Sequence, residues 1–170
     1  MTASAELIIA RRARNMIQQH LNRHQSLQTI SVAASNSKNA GSADYNCDGV
    51  NDEAEIQAAL DALPSTGGLV QLLDGTFNIG EPAGQTAFHI ISINSNDHIR
   101  GMGKEATKLQ FTSSRGAGAD RYIIGNATGA TSYSITNWSI RSMSLVCADP
   151  QDHGIHIIGM EDGLIDDVYI

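Results

Sequence analysis

The sequence predicts a mainly β protein built as a solenoid of short stacked strands, with one amphipathic helix near its start and a separate helix ahead of it. Three observations predict this. Beyond Gly80, short apolar segments recur between clusters of Gly, Asn, Asp and Ser, the pattern of strands joined by tight turns. Residues 138–145 overlay residues 163–170 at a spacing of 25, with Ile140, Met143 and Leu145 matching Ile165, Val168 and Ile170. Stacked coils, each burying its apolar row on the next, give that repetition. Residues 44–79 run from a polar turn through a helix to a buried strand.

Taken in order, residues 4–24 read as a helix with Ser4 as its cap. Leu7, Ala10, Arg14, Ile17 and Leu21 lie near one face, with Ile9, Ala13 and Met16 beside it. The stripe is too narrow and short to fold alone, so it either docks on its own domain or forms a trimeric stem or anchor in an assembly. Asn15, Gln18 and Gln19 share the polar face with arginine, which disfavours a helix lying on a membrane. Residues 29–33 alternate like a strand, and residues 35–42 read as a polar linker.

Asp44, Asn46, Asp48, Gly49, Asp52 and Glu55 then occupy positions 1, 3, 5, 6, 9 and 12 of a calcium-binding loop. No helix leads into the loop, and Val50 stands at position 7, one place before the usual hydrophobic anchor. The competing reading is a turn followed by a capping box, Asp52 with Glu55 three residues on. Ile56, Ala59, Leu60 and Leu63 form the apolar stripe of the helix that follows. Pro64 stops it, Gly67-Gly68 reverses the chain, residues 69–73 are a buried strand, and Asp74-Gly75 turns into the strand 76–79. Further strands are expected at 88–93, 98–100, 109–111, 122–124, 139–146, 155–158 and 164–170.

Composition bounds the function. The chain has 170 residues, 41% apolar but only 5% aromatic, with 16 glycines and three prolines, which suits an aliphatic core and many turns. No apolar run is long enough to span a membrane. The short run Leu7-Ile8-Ile9-Ala10 is followed, not preceded, by Arg11, Arg12 and Arg14, so it is no secretory signal, and synthesis in the cytoplasm is expected. Cys47 and Cys147 read as ordinary thiols. Arg11, Arg12, Arg14 and Arg23 make the first 24 residues basic, so the remainder is more acidic than the overall charge of −7. Such a body repels nucleic-acid phosphates.

The second candidate cluster is Asp149, Asp152, His153, His156, Glu161, Asp162, Asp166 and Asp167. Paired carboxylates serve glycoside hydrolysis, and a group of them holds calcium. On a strand, however, Asp166 and Asp167 face opposite ways, and no Lys or Arg follows Arg141 to act as a base. A solvent-facing acidic edge is the expectation, without glycan-cleaving activity in these residues. Gly101 and Gly103 do not complete a dinucleotide fingerprint, because Ala106 holds the last glycine position.

The run Asp48-Gly49-Val50-Asn51-Asp52, the helix residues 55–60, the pair Gly67-Gly68 and the segment 72–77 resemble the start of pectate-lyase-like right-handed parallel β-helices. His98-Ile99-Arg100-Gly101-Met102-Gly103, with Thr107 and Leu109 behind it, fits the same pattern. The resemblance covers residues 30–170 and implies a helix that covers the end of the solenoid. With no signal peptide and an added N-terminal helix, it is most similar to phage or virus tail spikes and fibres. That likeness implies a homotrimer, held to particle or baseplate proteins through residues 1–28 (Leu7, Ile9, Ala13, Met16, Ile17 and Leu21) and presenting residues 29–170 to surface glycans. It also implies location in the virion tail, or outside the cell otherwise. The coil at residues 164–170 finishes in mid-pattern, so coils beyond residue 170 are expected. The alternatives are a polysaccharide lyase or hydrolase with catalytic coils beyond residue 170, and a calcium-dependent adhesion module. No cofactor is expected other than calcium on the second alternative.

Overall fold

The computed structural model describes residues 28–80, 89–112, 120–126 and 135–170. The N-terminal stripe and the assembly residues on it lie outside these. Among the described residues, eleven strands and one α-helix follow in the order β1 (Gln28–Ala33), β2 (Tyr45–Asn46), α1 (Glu53–Asp61), β3 (Gly68–Leu72), β4 (Gly75–Ile79), β5 (His89–Ser92) and β6 (Asp97–Arg100). Then come β7 (Thr107–Phe111), β8 (Arg121–Gly125), β9 (Ile135–Val146), β10 (Asp152–His156) and β11 (Met160–Tyr169). A 3-10 turn, Ala40–Ser42, interrupts the expected linker.

Every strand pair among the described residues is parallel. One curled sheet of eight strands runs β2-β1-β3-β6-β9-β7-β4, with β11 on β9, and a second runs β10-β8-β5. The curl has a local cause. β9 pairs β6 through residues 139–141 and β7 through residues 144–146, and between them Ser142 turns the strand at φ 55°. β11 copies the bend. Asn137 and Ser142 in β9, and Asp162 and Asp167 in β11, all have positive φ, at the 25-residue offset that also separates the paired side chains of Arg141 and Asp166. Short polar side chains tolerate this left-handed backbone best, and three of the four corners carry Asn or Asp.

Inside the curl, register stacks like on like. Ile30, Val70, Ile99, Ile140 and Ile165 are successive partners on β1, β3, β6, β9 and β11, and Phe77, Leu109 and Leu145 are partners on β4, β7 and β9. All but Ile165 are buried. Each such side chain contributes about 1.5–3 kcal/mol of transfer free energy, which makes these rows the main source of stability. Trp138 is the partner of Gly163, and a Cβ at Gly163 would overlap the indole. The repeat read from sequence is thus the true register of the last two coils.

The helix α1 buries Ile56, Ala59 and Leu60 and packs on β1 to β5. The expected capping box does not form. Asp52 makes no side-chain cap, and its fully buried carboxylate instead accepts hydrogen bonds from the Gly49 N–H (2.8 Å) and the Asn78 N–H (2.7 Å). Glu53 likewise accepts from the Gly80 N–H at 2.8 Å. The acidic start of α1 therefore ties the turn to the end of β4, where unpaired strand N–H groups compete for the same oxygens. Burial pushes both carboxyls above their ordinary values, against those N–H bonds. Among the described residues no helix is long and apolar enough to cross a membrane.

Candidate functional site

The residues that alternate with the core rows face outward. Gln71, Arg100, Arg141 and Asp166 are successive register partners on β3, β6, β9 and β11, and so are Leu69, His98, Ser139 and Leu164. Their contacts run along the ladder. Arg100 donates to Gln71 Oε1 through Nε (2.9 Å) and Nη2 (2.7 Å), and Arg141 Nη2 donates to Asp166 at 3.0 Å. His98 Nδ1 lies 2.9 Å from Ser139 Oγ. Burial first, and then the Arg141 charge, hold His98 below its usual value, so the imidazole is neutral at pH 7. Arg141 Nε is buried without a hydrogen-bond partner among the described residues.

Two depressions meet at Arg100. One, of about 390 Å³, is lined by Leu69, His98, Trp138, Ser139, Arg141, Asp162 and Leu164. The other, of about 640 Å³, is lined by Gln71, Leu73, Gly101, Met102, Ser142 and Asp167. Gly101 is required at that edge, because a Cβ there would overlap the Ser142 carbonyl. Together they form an open groove across β3, β6, β9 and β11. It offers paired cationic and anionic groups, amide and hydroxyl groups, and three leucines.

The residues expected to hold calcium are only partly brought together. Asp44 accepts from the Ser31 N–H and hydroxyl, which lower its pKa; Asn46 lies on β2; and Asp48 accepts from the Val50 N–H. Asp52 and Glu55 instead meet Cys47, with one ligand atom of each within 4.8 Å of the others. Glu55 Oε2 is buried without a hydrogen-bond partner among the described residues. Burial first, and then the surrounding carboxylates, push the Cys47 thiol far up.

The acidic edge also divides. Asp152 is not solvent-facing: its side chain and that of Arg121 are 0% and 1% exposed and form an ion pair, with Arg121 lying over the Phe111 ring at 4.0 Å. His153 and His156 stack on Tyr122, with centroids at 4.8 and 4.2 Å, and His153 lies 3.7 Å from Asp120. Asp166 does have a basic partner, Arg141, supplied by the neighbouring coil. Asp162 and Asp167 border the groove, whereas Glu161 is simply exposed.

His98, Ser139 and Arg141 were missed as site residues in the sequence. The offsets along the outer ladder are 29, 41 and 25 residues, so no fixed period joins Gln71 to Arg100, His98 to Ser139 and Arg141 to Asp166. The available signal was polar residues alternating with Ile99 and Ile140.

No protein-family profile matches the chain, and comparison with curated proteins finds no match. Two solved structures share its fold, the A-modules of mannuronan C-5 epimerases AlgE6 and AlgE4 from Azotobacter vinelandii. Their TM-scores are 0.52 and 0.51, each at 22% identity over 71% of this chain. The chain spans 34% of the length of each. Those modules have a parallel β-helix fold of the pectate-lyase-like type, and the curled parallel sheet of this chain is consistent with the same fold.

Proposed function

We propose that this chain belongs to a right-handed parallel β-helix that binds a polysaccharide along the outer face of β3, β6, β9 and β11, with α1 covering the end of the helix. The observation that carries this reading is the groove on either side of Arg100, where guanidinium, carboxylate, amide and hydroxyl groups alternate with leucines. Sugar hydroxyls need paired donors and acceptors, and the apolar faces of pyranose rings need surfaces such as Leu69 and Leu164. Neighbouring strands repeat at about 4.8 Å, so the ladder offers its groups at regular intervals to a regular polymer. The fold likeness to enzymes whose name specifies mannuronan supports a carbohydrate role. In the same proposal residues 1–28 tie the chain to a larger assembly, in the manner of a tail spike, and their removal would abolish that attachment while leaving the groove competent.

Affinity electrophoresis of the full chain in gels containing alginate, polygalacturonate, dextran or acetylated xylan tests it. At least one polymer should retard the protein. Arg100→Ala or Arg141→Ala should weaken retention by roughly tenfold or more, since a hydrogen bond to a charged group contributes about 1.5–3 kcal/mol. Free migration in every gel, or retention unchanged in both variants, would refute the proposal.

A further inference from the structure

We propose that Ser139 and His98 form a nucleophile and base that hydrolyse ester substituents, such as O-acetyl groups, on a polysaccharide lying in the groove. This rests on the polysaccharide reading above. Ser139 Oγ and His98 Nδ1 are 2.9 Å apart, the distance at which an imidazole takes a hydroxyl proton, and both border the depression of about 390 Å³. Two further observations set this pair apart from an ordinary ladder contact. The imidazole is held neutral by burial and by Arg141, the state a general base requires. Arg141, on the same wall, keeps a buried Nε–H with no acceptor among the described residues. The Arg141 side chain is 44% exposed, so the rest of the guanidinium is open to an oxygen arriving with the ligand.

The chemistry balances with water as the only co-reactant. Ser139 Oγ attacks the ester carbonyl carbon while His98 Nδ1 takes the hydroxyl proton, which requires the other ring proton to sit on Nε2. The carbonyl electron pair moves to oxygen, and the negative charge that develops there is met by the Arg141 guanidinium. Collapse breaks the bond from the acyl carbon to the sugar oxygen, which receives the proton from His98. Water then attacks the acyl-Ser139 ester and gives a proton to His98. Loss of the carboxylic acid returns that proton to Ser139. The net change is ester plus water to alcohol plus acid, and no glycosidic bond is cut.

The test uses the full chain on acetylated xylan and acetylated alginate, measuring released acetate beside gel retention. Acetate release should fall at least about 100-fold in Ser139→Ala and in His98→Gln, with the circular dichroism spectrum unchanged. The rate should lose its acid limb at a pH below 6.5, the ordinary histidine value. A fluorophosphonate probe should label Ser139, losing fluoride, and label it far more slowly in His98→Gln. Retention without acetate release overturns the esterase and leaves polysaccharide binding standing. Release that survives Ser139→Ala also overturns it, and absence of both release and retention overturns the two together.

Discussion

Replacing Asp152 with alanine should be among the most damaging single changes in this chain. Its carboxylate accepts from Arg121 Nε, from Arg121 Nη2 at 3.1 Å, and from the Ala148 and Asp149 N–H groups at 2.9 Å each. With the two side chains 0% and 1% exposed, Asp152→Ala takes the Asp152 carboxylate away from a guanidinium buried against Phe111. Removing one member of a buried pair costs about 3–5 kcal/mol, a large share of the roughly 5–15 kcal/mol that holds a domain together. The double variant Arg121→Met/Asp152→Leu removes both charges and should recover part of that loss, since the Ala148 and Asp149 N–H groups still lose their acceptor. Urea denaturation at pH 7 measures both. Burial opposes ionisation of Asp152, but the Arg121 bonds and the two N–H donors outweigh it and hold the carboxyl below its ordinary 3.8. A depressed folded value contributes stability that is present above pH 3.8 and lost as pH falls through the folded pKa, so Asp152→Asn should flatten the acid limb of the stability profile. A cost under about 1 kcal/mol for Asp152→Ala, typical of an exposed pair, would refute the reasoning.

Three other outcomes follow from particular contacts. Gly163→Ala places a methyl group on the Trp138 indole and should cost about 1–3 kcal/mol, with a changed tryptophan emission spectrum; an unshifted urea midpoint would contradict the coil register. Addition of a chelator should leave the melting temperature unchanged, because Asp44, Asp48 and Asp52 are committed to separate backbone N–H groups. A calcium site filled at a hundred times its dissociation constant would instead contribute about 2.7 kcal/mol, and the loss of that on chelation would contradict this. Cys47, buried and raised in pKa by burial and nearby carboxylates, should react with a thiol reagent at pH 8 far more slowly than half-buried Cys147; equal rates would contradict the packing of α1.

Strands such as β7 were legible in sequence because burial on one face leaves a period of two, as in Leu109 and Phe111, whereas β3, expected to be buried on most sides, buries Val70 and Leu72 and turns Leu69 and Gln71 to the groove. The helix was legible from Ile56, Ala59 and Leu60. The last coil boundary was legible because β9 and β11 lie one 25-residue coil apart with no loop of unequal length between them. The outer site was not. Its members are joined by coils of unequal length, and Arg141 reads as an isolated charge until β11 sets Asp166 beside it. The true partners of Asp52 and Glu53 were hidden for the same reason: Asn78 and Gly80 are remote in sequence and adjacent only across the turn. Asp152 looked solvated for want of a nearby cation, since Arg121 lies 31 residues earlier.

Hydrogen–deuterium exchange of the full chain, with and without a polymer that retards it in the gel, tests polysaccharide binding on the outer face most directly. Polymer binding there should bring new protection at residues 98–103, 139–142 and 162–167, and none in β5, β8 and β10. Protection confined to the β10-β8-β5 sheet, or spread evenly over the chain, would contradict it.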